Sequence, residues 1–145
     1  MPATPSPVVV DLSDFDAVAV LADVVVAVRS AAIEGDVDVA ATVSAPQGWH
    51  RVVLSCSRTG NLALRVRLTD LTVSRANNVQ RALVDRRWVL DEDGDGIAVR
   101  QPPGTEATSV AFEVLSVLSV GGAPADVRTV MAVDHHGAPV PLSRD

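Results

Sequence analysis

The sequence predicts an α+β domain: a curved antiparallel sheet with helices on one face, in the order α-βββ-α-ββ-α. Three observations lead there. Apolar residues recur at helical spacing in some stretches and at every second position in others. The alternating stretches are joined by short turns such as Thr59-Gly60-Asn61, which favours antiparallel neighbours. No repeat and no long linker divides the 145 residues, so one domain is expected.

Residues 1–12, with Pro2, Pro5 and Pro7, read as a disordered lead-in. The domain proper is expected over 13–133. Ser13 and Asp16 have the spacing of a capping box, which opens a first helix at about Asp14 to Ile33. Phe15, Val18, Leu21, Ala22, Val25, Val28 and Ala32 form its apolar face, with Asp16, Asp23 and Ser30 as a narrow polar stripe. The β-branched run Val24-Val25-Val26 argues for a strand, but twenty residues are too long for one. Gly35 supplies a stop.

The period then changes to two. Val37, Val39, Ala41 and Val43 alternate with more polar neighbours, followed by a turn at Pro46-Gln47-Gly48. Val52, Leu54 and Cys56, then Leu62, Leu64, Val66 and Leu68, repeat the pattern and complete a three-strand meander. A second helix follows from Ser74 as N-cap to near Arg87, burying Val79 and Leu83. Trp88 to Leu90 and Ile97 to Arg100 read as paired strands around an acidic tip. A third helix spans about Thr105 to Val120, stopped by Gly121-Gly122. Val127, Thr129, Met131 and Val133 suggest a last strand or extended segment, and 134–145 reads as a flexible tail.

Composition narrows the functional classes. The chain carries 12 basic residues, all Arg, and a net charge of −6. An acidic domain with four aromatic residues suits neither nucleic-acid phosphates nor base stacking. The apolar run Ala17 to Val28 is too short for a membrane span, and no basic residue precedes it as in a signal peptide. Nucleic-acid and membrane partners are therefore not expected, and the location is expected to be cytoplasmic. The absence of Lys matches the GC-rich coding of actinobacteria.

Few residues point to chemistry. Asp91, Asp93, Asp95 and Gly96 match the opening of a calcium-binding loop, but the position that needs a bidentate acid holds Pro102. A solvated hairpin tip is the simpler account. His135-His136 lacks a third ligand at a telling spacing, His50 is expected at the surface, and Cys56 is expected to be buried and inert. No nucleophile elbow, phosphate loop or paired carboxylates are present, so neither enzymatic activity nor a cofactor is expected. Arg65 and Arg67 project from one strand face, and Arg51 falls in phase on the neighbouring strand. This row suits the carboxylates of a partner protein; a solvated strand face is the alternative.

The order of elements resembles the type III secretion chaperone-like fold of the YbjN-type and TY-Chap domain families. The resemblance spans roughly Asp14 to Met131. It rests most on Asn78-Val79-Gln80-Arg81-Ala82-Leu83 followed by Trp88, and on the run Ala111 to Val120 followed by Ala123 to Val127. The resemblance implies a non-catalytic domain that binds an extended segment of another polypeptide and often pairs as a homodimer. The nearly all-round apolar first helix also suggests a dimer. The alternative function is a cation- or small-ligand-responsive sensor built on the acidic tip 91–96.

Overall fold

The computed structural model describes residues 7–45, 49–102, 104–120 and 127–142. The lead-in Met1–Ser6, the turn Pro46–Gly48, the stop after the third helix and the end of the tail lie outside the described residues. The architecture is α+β: among the described residues, three helices lie on one side of an eight-stranded antiparallel sheet.

The elements are β1 (Val8–Asp11), α1 (Ala17–Gly35), β2 (Val39–Ser44), β3 (Val52–Cys56), β4 (Leu62–Arg67), α2 (Val73–Asp85), β5 (Val89–Leu90), β6 (Gly96–Arg100), α3 (Ala107–Leu118), β7 (Val127–Asp134) and β8 (Pro139–Val140). The sheet order is β1-β7-β2-β3-β4-β6-β5, with β8 also paired to β7. The meander β2-β3-β4 forms as the alternation predicts. β6 lies against β4, and two-residue β5 is left at the edge.

Two expectations at the chain ends are corrected. Val8–Asp11 is not lead-in: it pairs with β7 from Val8↔Val130 to Asp11↔Val127, and Val10 is buried in the core. The segment after Asp134 is not a free tail. The Asp134 backbone N–H donates to the Ala138 carbonyl at 2.9 Å, and β8 pairs through Ala132↔Val140. Leu142 then returns to the core.

Inward residues alternate as a half-buried sheet requires: Val39, Ala41 and Val43, then Val52, Leu54 and Cys56, then Leu62, Leu64 and Val66. α1 contributes Ala17, Leu21, Val24, Val25, Val28 and Ala32 to the same core, and α3 contributes Val110, Ala111, Val114, Val117 and Leu118. The apolar surplus of α1 that suggests a dimer is largely taken up within the chain. Val18, Val20, Ala22, Ala27 and Ala31 pack half-buried against the core, and Ile33 remains exposed.

The caps differ from expectation in instructive ways. The Ser13–Asp16 capping box does not form. Ser13 donates its N–H and its hydroxyl to Asp11 Oδ1 at 3.0 and 2.7 Å, and the helix begins later, at Ala17. Phe15 therefore precedes the helix and is fully exposed. Gly35 is the last helical residue, and Asp36 takes the left-handed conformation at φ 51°. Thr72, not Ser74, caps α2: its hydroxyl accepts the Arg75 N–H at 3.3 Å.

β7 reverses the hydropathy of its own sequence. Its inward residues are Arg128, Val130 and Ala132, whereas Val127, Thr129, Met131 and Val133 face outward. Arg128 is 1% exposed. The cause is register: Val130 sits opposite Val43 and Val8, both on the core side, so odd-numbered residues of β7 must face away.

Candidate functional site

Among the described residues, the buried side chains of α1, α2 and α3 join the one core with the inward residues of the strands, and the composition of the outer face is set by the outward positions of the strands. Toward β1 and β7 this face is apolar. Val9 is 59% exposed and Met131 47%, and Val127 and Val133 are exposed beside them. At the opposite edge Val89 is 70% exposed. Large exposed apolar groups gathered on one face are uncommon on a monomer and mark interaction surfaces.

Arg65 and Arg67 stand on this face, both exposed, as their alternation predicts. Continuing the β3–β4 register by one residue places exposed Arg51 opposite Arg67. The three thus share one face, but they are not equivalent. Arg65 Nη2 donates to Asp91 Oδ2 in an ion pair, and Arg67 lies at the outer limit of pairing, 4.0 Å from Asp70. The Arg65–Asp91 contact raises the Arg65 pKa further above its ordinary value. It also depends on Gly96, where a Cβ would lie 2.7 Å from Arg65 Nη2 and 2.9 Å from Asp91 Oδ2.

The acidic tip is a hairpin turn. The Asp91 N–H donates to the Gly96 carbonyl at 2.8 Å, Gly94 has φ 75°, and Asp93 Oδ1 accepts the Asp95 N–H at 3.0 Å. Asp91 points to Arg65 across the hairpin, so the turn does not gather Asp91, Asp93 and Asp95 around a common point. Among the described residues, no group of three His, Cys, Asp or Glu side chains is placed to hold a metal ion.

A trough of about 820 Å³ lies at one end of the outer face. Its floor is a row of small residues in register, Ala40↔Ser55 and Ser55↔Ala63, which continues to Arg100 through Ala63↔Arg100. Asp38, Asp134 and His135 line one end and Arg100 the other, with Ser57, Asn61 and Gln101 along the rim. The Asp134 carboxyl lies below the ordinary carboxylate range because it accepts the N–H groups of Ala138 and His136. Cys56 also lines the trough. Burial raises its thiol pKa, which favours the un-ionised, weakly nucleophilic form.

Sequence reasoning passed over Arg100 and the trough. A signal for Arg100 was present, because it is in phase with outward Ala98 and opposite Ala63. The trough had none, since it is made by five strands in register. His50 is a correction: it is 1% exposed, and its Nε2 donates to the Val117 carbonyl of α3. The nearby loop is tied to α2 by the Arg75 guanidinium, 4.2 Å above the Trp49 ring.

No described helix is long and apolar enough to cross a membrane. Comparison of the chain with protein families, with curated proteins and with solved structures finds no match.

Proposed function

We propose that this protein is a non-catalytic binding domain that holds a segment of another polypeptide against the uncovered face of its sheet. The observation that carries this reading is the coincidence, on one face, of exposed Val9, Val127, Met131 and Val133 with the guanidinium groups of Arg51, Arg65, Arg67 and Arg100. Apolar burial supplies most of the free energy of association, and guanidinium groups select for carboxylates. The expected partner segment is therefore extended, apolar and acidic. The short edge strand β1 offers backbone groups beside the same patch, which suits a partner in extended conformation.

Selection of random displayed peptides against the purified protein tests this reading. Apolar sequences rich in Asp and Glu are expected to be enriched. The double variant Met131→Asp, Val133→Asp changes only outward side chains and is expected to lose that enrichment while keeping its thermal transition. No enrichment, or equal enrichment on the variant, would overturn the proposal.

A further inference from the structure

We infer that the trough selects a dipolar stretch of the bound segment, seating a basic side chain at the Asp38 end and an acidic one at the Arg100 end. This rests on the polypeptide-binding reading and adds the charge pattern that the segment must carry. Ala40, Ser55 and Ala63 occupy adjacent strands in one row, and their small side chains leave the space that Thr42, Val53 and Arg65 fill in the next row. A segment of main chain with small or medium side chains can lie there across β2, β3 and β4.

The two ends carry opposite charge. Asp38 is in phase with outward Ala40, and its Oδ1 accepts the Arg58 N–H at 3.0 Å. Asp134 adds a second carboxylate at that end, held ionised by its two backbone donors. At the other end Arg100 is exposed on β6. Among the described residues, neither Asp38 nor Arg100 has an ion-pair partner within 4.0 Å, unlike Arg65, Arg67 and Arg86. Both charges face the trough without being neutralised inside the chain. β2 and β6 are three strand spacings apart, about 14 Å, and Asp38 stands two residues along from Ala40 in the Arg100 row, so the two backbone positions are about 16 Å apart, a span covered by about four extended residues together with the reach of their charged side chains. The fitting segment therefore has its basic and acidic residues four positions apart, with small apolar residues between them.

Fluorescence polarisation with labelled, end-blocked pentapeptides tests this. Lys-Ala-Val-Ala-Glu is expected to bind about five-fold more tightly than Val-Ala-Lys-Glu-Ala, which has the same composition with its charges adjacent. Arg100→Glu is expected to invert preference, so that Lys-Ala-Val-Ala-Lys outcompetes Lys-Ala-Val-Ala-Glu. Ala63→Trp, which fills the floor from an outward position, is expected to abolish binding of both. Equal affinity for the two spacings, or binding untouched by Arg100→Glu and Ala63→Trp, would overturn the inference, as would no binding of either peptide. If displayed peptides are enriched on the protein and lost with Met131→Asp, Val133→Asp but ignore Arg100→Glu and Ala63→Trp, the polypeptide-binding reading stands and the dipolar trough falls.

Discussion

At His50 the imidazole has left water for a site beneath α3, where Nε2 donates to the Val117 carbonyl. A carbonyl can only accept, so Nε2 carries the proton in the neutral ring. Burial, the largest effect, lowers the ring pKa below its ordinary 6.5; the Val117 bond pulls it up by less than burial pushes it down, and the charges of Arg128 and Arg75 lower it further. The sign follows from the unfolded chain, which binds a proton near pH 6.5 when the folded ring does not. His50 therefore weakens the fold as pH falls below about 6.5 and has no such effect above it. Replacing His50 with Ala removes the bond and opens a cavity, and is expected to cost about 2–3 kcal/mol in urea unfolding at pH 7.5. His50→Gln can still donate to Val117 and is expected to flatten the stability profile between pH 7 and 5.5. The phase of Val52, Leu54 and Cys56, carried back by two residues, places His50 inward, but its position beside the Pro46–Gly48 turn reads as surface, and only the approach of α3 supplies the acceptor.

Glu113 shows how one side chain joins separate elements. It lies on α3 and accepts Arg86 Nε at 3.0 Å and Nη2 at 2.6 Å, just past the end of α2. It also accepts the Trp88 indole N–H at 2.9 Å, at the entry to β5. The Arg86 bonds, then Trp88, lower the Glu113 pKa below its ordinary 4.5 despite partial burial. Its folded pKa is depressed, so its contribution is present above pH 4.5 and is lost as pH falls through the lower folded value. Glu113→Ala is expected to cost about 1–2 kcal/mol, a figure kept low because Arg86 is 40% exposed. Loss of near-ultraviolet circular dichroism from Trp88 should accompany it. None of this tie is visible in the sequence. Glu113 falls in the polar part of the third helix, and Arg86 reads as solvated surface beside Arg87. The elements themselves were legible where a local period governs them. β2, β3 and β4 alternate because one face of each is buried, and α3 has a broad apolar stripe.

The sheet as a whole depends on its two chain ends meeting at β7. β1 covers one edge of that strand beside β8, and its Val10 is fully buried. Deleting residues 1–11 uncovers that edge and removes an apolar side chain worth about 1.5–3 kcal/mol from the core. The deletion is expected to lower the melting temperature by at least about 4–8 °C and to promote association on size-exclusion chromatography; an unchanged melt would show that β1 is dispensable. A four-residue segment with three valines directly after Pro2, Pro5 and Pro7 carries too little pattern to be recognised as a strand, since its partner is more than a hundred residues away. β7 was obscured for a related reason. Its apolar residues Val127, Met131 and Val133 invite an inward reading, yet pairing with β1 and β2 turns Arg128 inward and those residues out. Local periodicity and turn chemistry in the sequence determined the three helices, the β2–β4 meander and the outward row of Arg65 and Arg67, because each depends on neighbours within a few residues. Tertiary structure alone decided the phase of β7, the α3 acceptor of buried His50, and the trough between Asp38 and Arg100. Each of these depends on which distant backbone groups come into register, and no window of sequence contains both partners.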